Sequence, residues 1–308
     1  MALGKREKKI VFASKVSIAG NALLSVLKIV IGLIAGSLAV VADGVDSASD
    51  IITSLVTLFA AHIVARPPDK KYPYGYFKAD TIAAKLLAFI IFFAGAQLAL
   101  SSVHKLLDPE PPVMPGHIAI YIIVISIIGK YMLSVYLKKV GKDVDSAMLI
   151  ANARNMQNDV IISLSVLTGL IFTFVLKMPV IDVITALLVS AYIMYVAFRI
   201  FMQTNRDLMD GVDDEGIYRK IIEQVNLVEG TSNPHKIRVR KMAHLYLIAL
   251  DIEVDGTIPL EKAHQLSARV EKNIKSNIQN VYDVIVHVEP LGNREEDEVF
   301  GVSEKELD

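Results

Sequence analysis

Long apolar runs dominate residues 10–202 of this 308-residue chain, whereas residues 205–308 alternate apolar and polar positions as a water-soluble domain does. A helix needs about 20 apolar residues to cross the hydrocarbon core of a bilayer. Six segments reach that length, namely residues 10–35, 38–64, 81–103, 118–137, 147–176 and 180–202. The pattern therefore predicts an α-helical membrane domain of six transmembrane helices over residues 1–204.

The charges in the short connections indicate how these helices are oriented. Lys and Arg cluster at the amino terminus, between the second and third segments, and between the fourth and fifth segments. The connections on the opposite side carry few, and cytoplasmic loops are the ones enriched in Lys and Arg. We therefore expect a protein of the plasma (inner) membrane with both termini in the cytoplasm.

The pattern after residue 205 predicts a small α+β domain. Apolar residues recur at helical spacing over 213–227 and 259–278, and with period two over 236–241, 246–254 and 281–288. This order of elements predicts a three-stranded sheet with two helices on one face, of the metallochaperone or ferredoxin-like type, over residues 205–292. Residues 293–308 are acidic, and we expect them to form a flexible tail.

Composition narrows the chemistry that the chain can carry. The net charge is −1 and no basic stripe indicates a nucleic-acid partner. The chain has no cysteine, which excludes disulfides and thiolate metal sites. Any metal would therefore have to be bound by His, carboxylate, amide or carbonyl groups.

Acidic residues lie inside two predicted spans, where charge is costly and usually functional. Asp46 and Asp50 are one helical turn apart on the second span, with Asp43 three residues before Asp46. Asn155 and Asp159 repeat this spacing on the fifth span. The two helices run antiparallel, so three carboxylates and an amide can face one another, and such a group needs a cation or protons. The alternative is that these groups only hydrogen-bond between helices or line a water cavity.

These features resemble those of the cation diffusion facilitator family of metal/proton antiporters. The resemblance covers nearly the whole chain and implies a transport site at Asp46, Asp50, Asn155 and Asp159. Zinc-transporting members have His at the position of Asn155, whereas manganese-transporting members have Asn or Asp there. An all-oxygen site also suits Mn²⁺, and Fe²⁺ less well, while Zn²⁺ favours imidazole and thiolate. The resemblance thus implies a proton-coupled Mn²⁺ exporter, not an enzyme, with the metal as its substrate and regulator and no other cofactor.

The resemblance also implies a second metal site and a homodimer. The family's cytoplasmic metal cluster falls here on His235, Asp251, His264, His287 and Glu289. We expect metal bound at these residues to regulate transport through the dimer of the carboxyl-terminal domain.

The connection between the second and third spans departs from the family. Many zinc members have a His-x-x-x-His pair there, and the matching residues are Tyr72 and Tyr76. Neutral phenols are poor ligands at pH 7, so we expect no metal in this loop. Lys78 resembles a family lysine that pairs across the dimer with an acid after the sixth span, here Asp210.

Three further basic residues have no assigned function. Lys85 and Lys130 lie inside predicted spans, and we expect each to pair with an interior acid or to reach the membrane interface. His244 lies near the turn between two predicted strands and matches no family ligand.

Three other functions are compatible with parts of the pattern. A Zn²⁺ or Co²⁺ exporter would use the same architecture. An intramembrane aspartyl protease also uses two membrane aspartates, but its Gly-x-Gly-Asp motif is replaced here by Ala42-Asp43-Gly44. A membrane-tethered metal sensor would act through the carboxyl-terminal domain alone, and this interpretation does not explain the pair of Asn155 and Asp159 on the fifth span.

Overall fold

The structure is a computed structural model that describes residues 5–144, 146–212, 215–242, 245–293 and 300–304. The chain forms two compact units, one made of residues 1–61 and 83–201 and the other of residues 62–82 and 202–308. Six long helices carry the first unit: α1 Lys5–Ala35, α2 Leu38–Val64, α3 Ala79–Leu107, α4 Ile118–Asp143, α5 Ala147–Leu176 and α6 Val180–Leu208. Several of them extend past the predicted apolar segments into polar residues.

Within the described residues, five helices are long and apolar enough to cross a membrane: α1, α3, α4, α5 and α6. The helix α2 has 27 residues, which is about 40 Å at the usual helical rise. It carries three aspartates, and these lower its hydropathy. It also carries exposed apolar side chains, such as Ile52 and Phe59. The predicted class of an α-helical membrane domain is confirmed, with α2 as the polar member of the bundle.

Close packing holds α1 against α2. In a bilayer, small residues at helix interfaces let backbones approach. A Cβ on Gly44 would lie 2.7 Å from Ile29 Cγ1 and 3.0 Å from the Ile29 backbone nitrogen. Ser25 Oγ also donates a hydrogen bond of 2.9 Å to the Gly44 carbonyl. The two helices therefore form a tight antiparallel hairpin, and no side chain larger than hydrogen fits at residue 44.

A buried acid from α6 fixes the turn of this hairpin. Gly36 adopts a positive φ of 70° between α1 and α2. Asp182 accepts hydrogen bonds from the Ser37 hydroxyl and, at 2.9 Å, from the Leu38 backbone nitrogen. A carboxylate at the first turn of α2 satisfies backbone donors that the helix leaves free.

The second unit contains the predicted α+β domain. Its elements are α7 Gly216–Asn226, β1 Ser232–Met242, β2 Leu245–Val254, α8 Leu260–Asn277 and β3 Val281–Pro290. The strands lie in the order β1-β2-β3, with β1 antiparallel and β3 parallel to β2. Both helices share one apolar core with the sheet, which includes Ile221, Leu250 and Ile274. The predicted fold class of this domain is confirmed.

Part of the acidic tail, residues 300–304, lies against β1. Val302 and Ile237 exchange two backbone hydrogen bonds of 2.9 Å. The ring of Phe300 packs under Arg238, whose guanidinium carbon is 4.9 Å from the ring centre. The alternating apolar residues Phe300 and Val302 give this segment a strand pattern that the surrounding charge obscured. Residues 294–299 and 305–308, and also His244, lie outside the described residues.

Candidate metal sites

The polar residues of α2 and α5 face each other inside the bundle. Asp50 lies within hydrogen-bonding distance of Asp159. Asp46 is close enough to Asp159 and to Asp43 to interact electrostatically with both. Two carboxyl groups at hydrogen-bonding distance need a shared proton or a cation between them. One carboxylate oxygen of Asp50, Oδ2, is buried and accepts no hydrogen bond from any described residue. That oxygen is therefore available to a metal ion.

At Asp50, this carboxylate cluster borders a cavity of about 530 Å³. Asp50 and Asn155 line the cavity, together with Ser14, Ser17 and Asn21 of α1. Ser14 Oγ and Asn21 Oδ1 are also buried without a hydrogen-bond partner among the described residues. These α1 residues were not predicted from the sequence, although Ser14, Ser17 and Asn21 follow the 3–4 residue spacing of one helix face. The cavity is thus rich in oxygen atoms that can replace the hydration shell of a cation.

Two buried lysines neutralise acids in the same bundle. Lys130 Nζ on α4 lies 2.9 Å from Asp159 Oδ2, as expected for a lysine that pairs with an interior acid. Lys28 Nζ on α1 lies 2.7 Å from Asp43 Oδ2, and Ser163 Oγ donates to the same carboxylate at 2.9 Å. Asp43 is therefore held by α1 and α5 and is not free to bind a metal. Lys28 was not identified from the sequence, because a single lysine in an apolar helix does not reveal its partner.

The loop between α2 and α3 is closed by one acid. Asp69 Oδ1 accepts hydrogen bonds of 2.8 Å from the backbone nitrogens of Lys71 and Tyr72. The Tyr76 hydroxyl donates to Asp69 Oδ2 at 2.6 Å, and this hydrogen bond is the main reason that the pKa of Asp69 is below its ordinary value. The rings of Tyr72 and Tyr76 lie 4.7 Å apart. These groups hold the shape of the loop with hydrogen bonds.

Lys78 and Asp210 form an ion pair, but within one chain. Lys78 Nζ lies 2.7 Å from Asp210 Oδ1, and Arg240 Nε lies 2.9 Å from Asp210 Oδ2. Lys78 directly precedes α3 and Asp210 lies two residues after the end of α6, so both belong to the same unit of the chain. The pairing of these residues across a dimer stays a prediction.

The carboxyl-terminal domain brings three of its five predicted ligands together. Ligand atoms of His235, Asp251 and Glu289 all lie within 4.8 Å of one another. His235 Nε2 is 3.4 Å from Glu289 Oε2, and His235 Nδ1 is 2.7 Å from the Asn233 carbonyl oxygen. A carbonyl only accepts, so Nδ1 carries a proton and Nε2 is the ring nitrogen that faces the acids. This is the orientation of a histidine that binds metal.

Bulges in β1 give His235 its position. The β1–β2 register shifts on both sides of the His235–Asp251 pair, and Asn233 and Lys236 have positive φ values of 47° and 49°. Bulges of this kind re-aim a side chain next to a functional site. The β2–β3 register places Asp251 opposite His287 as well, so the acid lies between two histidines.

The remaining two predicted ligands lie at the surface. His287 Nε2 is 3.7 Å from Glu289 Oε1, but the side chain is 65% exposed. His264 is exposed on α8 and is not part of the cluster of His235, Asp251 and Glu289.

The fold and these sites define a multi-pass membrane protein with an intramembrane acid cluster and a separate acid–histidine cluster. Residues 14–209 match the cation efflux transmembrane domain, and residues 214–291 match the cation efflux protein cytoplasmic domain. The chain therefore belongs to the cation efflux family, also known as the cation diffusion facilitators. Members of this family are transporters and not enzymes, so the protease alternative is excluded.

Relatives of known name agree with this assignment. The manganese efflux system protein MneS of Bacillus subtilis is 29% identical over 90% of this chain and 94% of its own length. MneP of the same organism, also named a manganese efflux system protein, is 25% identical over 89% and 94%. The cation-efflux pump FieF of Salmonella typhi is 30% identical over 90% and 92%. Efflux of divalent cations is the function that the family and these relatives support for this chain.

Proposed function

We propose that this chain exports Mn²⁺ from the cytoplasm across the plasma membrane in exchange for protons, with Fe²⁺ as a second substrate. The observation that carries the proposal is the ligand set of Asp46, Asp50, Asn155 and Asp159, which contains only oxygen donors. Carboxylate and carbonyl oxygens favour Mn²⁺, whereas imidazole and thiolate favour Zn²⁺. The names of MneS and MneP support the same metal.

The cavity supports the direction of transport. Three helix halves line the cavity: the half of α1 next to the amino terminus, the half of α2 next to the α2–α3 loop, and the half of α5 next to the α4–α5 connection. Lys and Arg cluster in the amino terminus and in these two connections, which favours a cytoplasmic location for this end of the bundle. A metal ion would enter the cavity from the cytoplasm and bind between α2 and α5.

Protons would then replace the metal from the opposite side. The four proposed ligands include no histidine, so the aspartates themselves would carry the protons. The interaction of Asp50 with Asp159 supports this, because two neighbouring carboxyl groups can hold one proton between them.

The carboxyl-terminal cluster is proposed to sense cytoplasmic metal in a homodimer. His235, Asp251 and Glu289 would form the buried part of the site, with His287 and His264 as its exposed members. The match to the family's cytoplasmic domain supports dimer formation. Metal that neutralises these acids would stabilise one arrangement of the dimer and so shift the transporter's equilibrium.

Transport into proteoliposomes tests the proposal directly. Mn²⁺, Fe²⁺, Zn²⁺ and Co²⁺ should be compared side by side, with and without a pH gradient. We expect the fastest flux for Mn²⁺, with acceleration by a gradient that supplies protons on the receiving side. Faster flux of Zn²⁺ or Co²⁺ would support the alternative exporter and contradict the oxygen-ligand argument. Mn²⁺ flux that ignores the gradient would exclude proton coupling.

A further inference from the structure

Lys130 occupies an unusual position for a residue of a cation transporter. Its ammonium group lies 2.9 Å from Asp159, one of the four proposed metal ligands, and its side chain is 1% exposed. Removing a charged lysine from water is costly unless a carboxylate compensates for it. The positive charge of Lys130 therefore lies against the same carboxylate, Asp159, that the transported metal would bind.

The charges around Lys130 suit a divalent ion. Asp46, Asp50 and Asp159 supply three carboxylates, and Lys130 supplies one ammonium. The fully ionised cluster thus has two net negative charges, which match one dication. Without Lys130, the same cluster would carry an excess negative charge and would hold a cation more tightly.

A second residue of α4 can serve as an alternative hydrogen-bond partner for the ammonium group of Lys130. Ser126 lies one helical turn before Lys130 and is fully buried on the same face. Its hydroxyl has no hydrogen-bond partner among the described residues. Side chains on a helix point toward its amino terminus, so Lys130 Nζ can reach Ser126 Oγ when it leaves Asp159.

We propose that Lys130 is a tethered cation that competes with the transported metal for Asp159 and moves to Ser126 when the metal binds. Lys130 then limits how tightly the site holds a dication, which allows the metal to be released after it has crossed. This inference rests on the proposed function and adds a positioning residue to its site.

The test measures metal binding to the full-length chain by calorimetry. All variants carry His235→Ala and Glu289→Gln, so that the carboxyl-terminal cluster does not contribute. The probes are Mn²⁺ and Tb³⁺. Asp50→Asn in this background identifies the intramembrane site, because binding to that site should be lost.

Lys130→Met and Ser126→Ala should shift the affinity in opposite directions. Removing the competing ammonium should tighten Mn²⁺ binding by at least about tenfold. Tb³⁺ should gain more than Mn²⁺, because a trivalent ion responds more strongly to each added negative charge. Ser126→Ala removes the second position of the ammonium and should weaken Mn²⁺ binding by about three- to tenfold.

A matched control separates competition from loss of a buried ion pair. Lys28→Met breaks the other lysine–aspartate pair of the bundle, whose acid is not a proposed ligand. It should destabilise the protein but tighten Mn²⁺ far less than Lys130→Met does. If Lys130→Met does not fold, Lys130→Gln keeps a polar side chain and should show the same gain.

Two results would overturn the inference. The first is that the folded Lys130 variants bind Mn²⁺ no more tightly than their parent. The second is that Ser126→Ala binds Mn²⁺ as tightly as its parent. If Asp50→Asn binds like its parent, the proposed transport site itself is wrong, which is a separate failure.

Discussion

At the scale of single residues, the membrane decides which charges matter. A carboxylate inside a helix bundle needs a positive charge nearby. Asp43 pairs with Lys28 and accepts a hydrogen bond from Ser163. Asp46 and Asp50 instead belong to the carboxylate cluster, and Asp50 lines the cavity. The i, i+4 spacing identified Asp46, Asp50, Asn155 and Asp159 from the sequence, because helical periodicity is a local property. Which acid each buried lysine pairs with was not visible, since it depends on contacts between distant helices.

The first prediction concerns Asp50. Asp50→Asn keeps the shape of the side chain but removes its charge from the proposed site. Loss of one charged ligand should lower Mn²⁺ flux by about ten- to a hundredfold, on the scale of interactions with charged groups. Proteoliposome flux measures this, and membrane insertion should be unchanged. Ser54→Ala is the matched control, because Ser54 lines the same cavity one turn away. Near-normal flux in Asp50→Asn would contradict the assignment.

The second prediction concerns Asn155 and metal choice. Asn155→His replaces an amide oxygen with a softer ring nitrogen and should favour Zn²⁺ over Mn²⁺. One added ligand of this kind should shift the Zn²⁺/Mn²⁺ flux ratio by about ten- to a hundredfold. Competitive flux measures the ratio. Asn152→His is the control, because Asn152 lies three residues before Asn155 and lines the same cavity. A ratio that stays constant in Asn155→His would show that Asn155 is not a ligand.

At the scale of elements, α2 combines a lipid-facing surface with a polar one. Its hydroxyl groups hydrogen-bond within the helix, as Ser49 Oγ to the Val45 carbonyl at 2.9 Å and Thr53 Oγ1 to the Ser49 carbonyl at 2.7 Å. Such bonds satisfy the hydroxyls without a partner helix and leave the carboxylates as the groups that need one. All six long helices and the order of the α+β domain followed from periodicity. The bulges around His235 did not, because one inserted residue leaves no mark on an alternating pattern.

The third prediction concerns the loop between α2 and α3. Tyr76→Phe removes the hydroxyl that donates to Asp69, so the pKa of Asp69 should rise toward its ordinary value. A lowered carboxyl pKa stabilises the loop above the ordinary value, and this stabilisation is lost as pH falls through the lowered value. Tyr76→Phe should therefore loosen the loop at a higher pH than wild type does. Hydrogen exchange of the Lys71 and Tyr72 amides measures this.

Transport should be largely unchanged in Tyr76→Phe, because no metal is assigned to this loop. Tyr72→Phe is the control, since the Tyr72 backbone, and not its hydroxyl, bonds Asp69. Loss of bound metal in either variant would show that the loop holds a metal site.

At the scale of the whole molecule, the chain divides into two units with different chemistry. The membrane unit offers oxygen ligands, and the carboxyl-terminal domain adds histidine. A site that contains histidine favours Mn²⁺ over other divalent ions less strongly than an all-oxygen site does. The two sites of this chain therefore need not respond to the same ion. The sequence predicted both units, but it did not predict that Val302 pairs with Ile237 of β1.

The fourth prediction concerns the carboxyl-terminal domain alone. Its own apolar core should let residues 205–308 fold as a soluble dimer that binds divalent metal. His235→Ala should lower metal affinity most, because His235 belongs to the buried cluster, while His264→Ala and His287→Ala should each lower it less. Calorimetry and sedimentation measure affinity and dimerisation. Glu261→Gln, an exposed change on the same helix as His264, is the control. Metal binding that no histidine variant alters would favour a purely structural domain.

The pairing of Val302 with Ile237 has a consequence for how the protein can be handled. The outer edge of β1 would otherwise present unpaired backbone groups, and such edges invite strand addition between molecules. The segment at residues 300–304 acts as a short protective strand over part of that edge. A recombinant chain cut at residue 293 would lose this cover and expose Ile237 as a site for aggregation. A purification tag placed directly after residue 308 would instead leave the cover in place.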